Sequence, residues 1–244
     1  MKIISAIIVI VVLTTAALLY MHGYWHFNYP SKNKYPVRGI DVSHHQGKID
    51  WKKVKEQEIH FAFIKATEGS SHKDTKFIQN WGGATNAGLI KGAYHYFSFC
   101  KPGIEQAQNY INTVPIDSSS LPPVIDFEFV GNCKNRPEKD AIVKELLWFI
   151  REVEEKYHKT PIIYVTYDSY NHFLKGESLD YPIWIRDIFS RPDMPEGKNW
   201  TFWQYTNRGR VKGINGPVDL NVFNDVNLSD QMIGTCCSGD IKHP

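Results

Sequence analysis

The sequence predicts an α/β fold, an irregular (β/α)8-like TIM barrel with helices mainly after the first five strands. Three observations predict it. From Val37 onward, short apolar segments alternate with segments of helical period, the pattern of βα units and a parallel sheet. Eight apolar segments occur, the number such a barrel needs to close. The competing fold is a doubly wound open sheet, but no glycine-rich fingerprint follows the first strand, only "DVSHHQG". About 195 residues, from Arg38 to Met232, lie near the lower limit for a barrel.

The first strand reads "RGIDVS", and Asp50 is placed to cap a helix starting at Trp51. "HFAFIKA" is the second strand. A helix from about Asp74 would present Phe77, Ile78, Trp81 and Ala84 on one face, with Gly88 just past its end. "IKGAYHYF" is the third strand, followed by a helix over 103–114 with Ile104, Ala107, Ile111 and Val114 in register. "PPVIDFEF" is the fourth. Pro137 then opens the longest helix, roughly 138–158, with Ile142, Leu146, Phe149, Ile150 and Val153 facing the core. "PIIYVTY" is the fifth strand, "SYNHFLKG" at most a short helix, and "YPIWIRDI" the sixth strand. Loops rich in Pro, Gly and Asn lead to "WTFWQYT" and "GPVDLNVF", read as strands seven and eight and as possible antiparallel neighbours.

The N-terminus carries a different signal. "IISAIIVIVVLTTAALLYM", residues 3–21, has no charge and is long enough to span a bilayer. No small-x-small cleavage site follows, so a retained anchor is preferred to a cleaved signal, and either implies export. Residues 22–36, "HGYWHFNYPSKNKYP", read as an interfacial aromatic patch and short linker. The expected division is 1–22 signal or anchor, 23–37 linker, 38–232 barrel and 233–244 tail. Twenty-eight basic residues against 26 acidic leave no broad basic field for nucleic acid. Cys100 and Cys133 follow neighbouring strands, whose ends lie side by side, so a disulfide between them is within reach. The adjacent Cys236 and Cys237 are left open between a strained pair, an interchain bond and free thiols.

Four acids lie at or near the C-terminal ends of strands, where barrel enzymes carry their chemistry: Asp41, Asp126, Glu128 and Asp219. Strands one and eight adjoin on closure, which brings Asp41 near Asp219. Asp126 and Glu128 share one face, about 6–7 Å apart along the strand. A lone strand-end acid is usually a loop cap or an ion-pair partner. Two like charges flanked by Phe127 and Phe129 are different, because burying both costs several kcal/mol unless a cleft solvates them or they share a proton. Such a pair is what glycosidic cleavage uses: one group protonates the leaving oxygen and another stabilises the developing cation. No phosphate loop, Gly-x-Ser-x-Gly elbow or His-Glu-x-x-His supplies a rival chemistry. His44 and His45 near Asp41 hint at metal, yet adjacent residues on an extended chain point to opposite faces, and no metal or cofactor is expected.

"GIDVSHHQGKIDW", "FAFIKATEG", "GAYHYF", "PPVIDFE" and "FWQYT…VDLN" together resemble the strand motifs of the glycoside hydrolase family 25 lysozymes, the Chalaropsis-type N-acetylmuramidases. The resemblance runs in order from Gly39 to Asn224. It implies a peptidoglycan hydrolase acting on the β-1,4 bond between N-acetylmuramic acid and N-acetylglucosamine. It makes Glu128 the general acid/base, Asp126 its partner acid, and Asp41 and Asp219 the flanking aspartates. Asp126 either stabilises an oxazolinium formed by the sugar's own N-acetyl group or serves a direct displacement, and retention by substrate assistance is preferred. Tyr94 and Tyr164 match aromatic positions expected to bind sugar, with Trp184 and Gln204 as weaker correspondences. Each has ordinary barrel packing as its plainer explanation. Lys65 and Glu68 are left outside the catalytic set.

The partners expected are peptidoglycan strands, and the membrane if the first helix is retained, with a monomeric catalytic domain. Wall-binding repeats that accompany many members of that family are absent from the sequence motifs. A tether would replace them by raising local concentration. A non-catalytic glycan-binding protein and a hydrolase of chitin-like polymers are the alternatives.

Overall fold

The computed structural model describes residues 2–134 and 137–231. Cys236, Cys237 and the tail 233–244 lie outside the described residues. In chain order the elements are α1 (Lys2–Met21), β1 (Arg38–Val42), α2 (Trp51–Lys55), β2 (Phe61–Glu68), β3 (His72–Lys73), α3 (Phe77–Asn86), β4 (Ile90–Tyr96), α4 (Gly103–Ile111) and β5 (Val124–Phe127). There follow α5 (Lys139–Tyr157), β6 (Ile162–Val165), α6 (Tyr167–Ser169), β7 (Ile183–Arg186), β8 (Phe202–Gly209) and β9 (Val218–Phe223).

The strands run β1-β9-β8-β7-β6-β5-β4-β2, and β1 pairs with β2 to close an eight-stranded barrel. The seven strands other than β9 pair in parallel, while β9 runs antiparallel to both β8 and β1. The small β3 forms a hairpin with the end of β2, which the sequence pattern does not reveal. β8 also runs on to Gly209, beyond the expected "WTFWQYT". After β6, α6 continues directly into one turn of π-helix over Tyr170–Leu174.

Strand alternation sorts the side chains into two clusters. One, outside the strands, includes Ile40, Ile64, Ile125, Phe127, Ile163 and Ile185 and packs beneath the helices. The other fills the barrel's lower interior with Phe61, Phe63, Val124, Ile162, Phe202 and Phe223. Its rings need room. A Cβ on Gly39 would lie 2.3 Å from the Phe61 ring, and one on Gly92 2.8 Å from Phe63, so glycine at these two positions lets the phenylalanines cross the barrel.

The helices follow the same logic with two exceptions. α5 buries Ile142, Leu146, Phe149, Ile150 and Val153 as expected. Asp50 accepts a hydrogen bond from the Lys53 amide at 3.2 Å and so starts α2. Ile78 and Ile104, however, point to solvent. Buried polar residues take the places assigned to them: Asn80 in α3, and Gln106 and Asn109 in α4. The Asn109 amide donates to the carbonyls of Gly69 and His72, tying the β2–β3 turn to α4. The Gln106 amide donates to those of Ser98 and Lys101. These loops carry carbonyls that need donors, and an isoleucine has none to give.

The disulfide expected between Cys100 and Cys133 is present, with 6.2 Å between Cα atoms. It clamps the loops that follow β4 and β5.

Candidate active site

Two residues up each strand from the apolar filling, the interior turns polar. Asp41 of β1, Lys65 of β2, Tyr94 of β4, Asp126 of β5, Tyr164 of β6 and Arg186 of β7 all project to this level. Gln204 of β8 and Asp219 of β9 complete the ring, with Glu128 just past the end of β5. They line a cleft of about 290 Å³ at the C-terminal end of the parallel strands, near the lower size limit of small-molecule sites. All eight site residues expected from the sequence line this one cleft.

Register brings the acids together. Asp41 lies opposite Asp219 across the β1–β9 pair, and Asp126 lies beside Tyr164 across β5–β6. Phe127, pointing the other way, packs against Phe99 and Phe173 in the helix-side core, at 5.0 and 5.5 Å between ring centroids. Phe129 joins the same cluster. The alternation of "DFEF" therefore holds the two acids to the cleft by anchoring the two rings outside it.

Asp41 is held by a hydrogen-bonded relay. Its Oδ2 accepts from Gln204 Nε2 at 3.0 Å and from Asn221 Nδ2 at 2.7 Å. The Tyr164 hydroxyl donates to Gln204 Oε1 at 3.0 Å, and Trp184 Nε1 donates to Asn221 Oδ1 at 2.9 Å. Indole is a donor only, and burial keeps the Tyr164 phenol protonated far above its usual range. The indole therefore fixes Asn221 with its NH₂ group toward Asp41, and Gln204 takes the same orientation with its oxygen on the Tyr164 hydroxyl. Burial still raises the Asp41 carboxyl above its ordinary range, opposed by Asn221, Gln204, Asp219 and Arg186. Burial, and then the Asp41 charge, also raise Asp219 well above the carboxylate range.

The second pair is less well satisfied. Burial raises Asp126 well above the carboxylate range, helped by the Glu128 charge and opposed by Lys65. Its Oδ1 is buried with no hydrogen-bond partner. Burial also lifts Glu128, to about 7, with Arg186 and Lys65 lowering it and Asp41 raising it. A carboxylic acid titrating there holds its proton near neutrality and releases it readily, as a general acid/base requires.

Trp184 and Gln204 carry more structure than expected. Trp184 is 2% exposed and stacks on Phe63 at 4.6 Å, so its indole forms the cleft floor. Groups outside the set expected from sequence also act on the acids. Arg186 sets the field at three of the acids, and Asn221 orients Asp41. Both obey the same rule as the acids, inward positions near the mouth end of a strand, but a pattern of carboxylates and aromatics does not include them. Lys65 is in the cleft too, where its Nζ meets Glu68 at 2.7 Å. His44 turns toward Asp74, whose Oδ2 lies 2.8 Å from Nδ1, while His45 lines the cleft. Among the described residues, no cluster of three or more His, Cys, Asp or Glu side chains is arranged to hold a metal ion.

The family model described as Glycosyl hydrolases family 25 matches residues 40–214, ending just before β9 and Asp219. The uncharacterized protein YegX of Escherichia coli K12 is 39% identical over 195 residues, covering 78% of this chain and 70% of that one. Lysozyme M1 of Streptomyces globisporus is 37% identical over 204 residues, covering 77% and 68% respectively. A solved family 25 glycosyl hydrolase from Bacillus anthracis superposes with a TM-score of 0.81 at 39% identity, over 87% of this chain and 99% of that one.

Proposed function

The chain belongs to glycosyl hydrolases family 25, and from that premise we propose a lysozyme that cuts the β-1,4 bond between N-acetylmuramic acid and N-acetylglucosamine in peptidoglycan. The observation that carries the reading is Glu128, an acid lifted to about 7 at the mouth of the barrel, on the same face as Asp126 and next above it.

Glu128 gives its proton to the leaving glycosidic oxygen as the bond to the anomeric carbon breaks. The carbonyl oxygen of the sugar's own N-acetyl group closes on that carbon, forming an oxazolinium. Asp126 orients the group through its N–H, for which the unpartnered Oδ1 is a ready acceptor. Water then attacks the anomeric carbon, breaking its bond to the acetamido oxygen and so restoring the N-acetyl group, and gives its proton to the Glu128 carboxylate, which restores the acid. Burial does most to keep Glu128 protonated, and the charge of Asp41, fixed by Gln204 and Asn221, adds to it. Tyr94 and Tyr164 offer ring surface to the sugar, while the Tyr164 hydroxyl stays on Gln204. Arg186 limits how far Glu128 rises.

The first helix is apolar and long enough to cross a membrane. We read it as a retained anchor that places the catalytic domain outside the cytoplasm, where peptidoglycan lies.

The test is product analysis on purified peptidoglycan with wild type and Glu128→Gln side by side. Wild type should release fragments with reducing muramic-acid ends, retained in configuration at the anomeric carbon. Glu128→Gln should lose about 10²–10⁴-fold in kcat while its circular dichroism is unchanged. Fragments from the variant at the wild-type rate would sink the assignment, and an inverted product would overturn the assisted route alone.

A further inference from the structure

The segment joining α1 to the barrel does not hang free. Gly23 turns with φ +74°, and a Cβ there would lie 1.9 Å from the Arg208 carbonyl oxygen, so only glycine lets the turn press against β8. Arg210 Nε donates to the His22 carbonyl at 2.7 Å, and Arg208 Nη1 reaches the Met21 carbonyl at 3.4 Å. Two arginines thus cap the C-terminal end of α1, where carbonyls lack partners. Further on, His26 Nδ1 meets Thr206 Oγ1 at 3.2 Å, and the Asn28 amide donates to the carbonyls of Asp187 and Ser190.

These docking points sit on the rim of the cleft. Asp187 directly follows Arg186, and Asn207, itself in the cleft lining, falls between Thr206 and Arg208. The N-terminal helix therefore joins the barrel at its mouth end, beside β7 and β8, not at the closed bottom.

Around the junction lies an aromatic cluster that packing alone does not account for. Tyr20, Trp25 and Phe27 touch one another with centroids 4.8–6.2 Å apart, and Phe189 joins them through Phe27 at 5.2 Å. Yet Phe189 is 66% exposed, Phe27 48% and Trp25 40%, and nearby Tyr24 is 69% exposed under the Arg210 guanidinium. Exposed rings with two arginines, at the end of a twenty-residue apolar helix, have the composition of a bilayer interface.

We propose that residues 20–29, with Phe189, Arg208 and Arg210, form a lipid-facing collar that seats the cleft mouth at the membrane surface. The partner is the headgroup region of an anionic bilayer. The consequence for substrate is that the enzyme cuts glycan held close to that bilayer, such as a strand anchored in it through a lipid, as supplied by glycosyl transfer at the membrane. The inference rests on the retained-anchor and hydrolase readings, and the experiment separates all three.

The full chain is reconstituted into vesicles of phosphatidylglycerol and phosphatidylethanolamine with brominated acyl chains. Wild type is compared with Trp25→Phe, and with a variant carrying about 20 Gly/Ser residues between Met21 and His22, a tether of roughly 25 Å. Expected are quenching of a fluorescence component that Trp25→Phe removes and the spacer variant protects, and short glycan stubs left by wild type on lipid-linked glycan. The spacer variant should leave longer, scattered stubs while cutting soluble glycan at the wild-type rate. Unquenched Trp25 in a chain that survives alkaline washing of the vesicles, or identical stubs from the two proteins, overturns the collar. Loss of the chain on alkaline washing overturns the anchor and the collar together. Failure of wild type to cut soluble glycan overturns the hydrolase reading, and quenching still decides the collar.

Discussion

The lower and upper halves of the barrel interior are built by the same strands in the same alternation, and they differ in almost everything else. Below, Phe61, Phe63, Phe202 and Phe223 pack ring against ring with no polar group among them. Above, one strand repeat later, Asp41, Tyr164 and Gln204 are buried in a hydrogen-bonded relay, Asp126 and Asp219 are half-buried, and Asp126 Oδ1 has no partner at all. The lower layer stabilises the fold through apolar burial, about 1.5–3 kcal/mol for each such side chain. The upper layer gives up stability to keep protons on carboxyls. Two residues along a strand are thus enough to pass from scaffold to chemistry, provided the scaffold below is rigid.

The largest effect that tests this division is in the lower layer. Phe61→Ala should cost about 3–5 kcal/mol of unfolding free energy, measured by denaturant titration, because it empties a space that Gly39 leaves open for the ring. The folded fraction should keep kcat/KM near the wild-type value. A loss of activity as large as the loss of stability would mean that the two layers are not separable.

The next effect has the opposite sign. Glu128 titrates at about 7 in the folded barrel against 4.5 when unfolded. Between those values the folded chain holds a proton that the unfolded chain has released, so stability falls as pH rises through the window. The amide introduced by Glu128→Gln does not titrate. That variant should therefore gain on wild type by on the order of 3 kcal/mol between about pH 4.5 and 8, while losing activity. His95, buried and lowered to about 3, changes stability in the reverse sense over its own range, but identically in both proteins. Equal pH profiles would show that Glu128 is not strained.

The strands are legible in the sequence because alternation is a strong signal when every second residue is buried. Asp126 and Glu128 are legible because Phe127 and Phe129 fix their phase. Ile78 and Ile104 mislead because apolar character is not burial: Asn80, Gln106 and Asn109 occupy the buried positions, with Gln106 and Asn109 answering loop carbonyls outside their own helix. Arg186 and Asn221 are hidden for a different reason. Their meaning lies in partners: Arg186 lowers Asp41 of β1, Glu128 past the end of β5 and Asp219 of β9, and Asn221 bridges Asp41 to Trp184, a relation that exists only after β1, β7 and β9 have come together. The contacts of residues 22–28 with Asp187, Thr206 and Arg210 are equally remote along the chain.

Asn221 also provides the smallest and most discriminating test. Asn221→Leu keeps roughly the volume but removes a donor from Asp41 and leaves the Trp184 N–H unpaired. With one donor fewer, Asp41 holds a proton to higher pH. The Asp41 charge is one of the causes that raise Glu128, so its partial loss must lower Glu128. The expected outcome is a fall in kcat of about tenfold, roughly 1.4 kcal/mol, together with an acidward shift of the alkaline limb in kcat/KM. A uniform loss with an unmoved limb would assign Asn221 to packing, and would place the boundary between scaffold and chemistry one residue higher on β9.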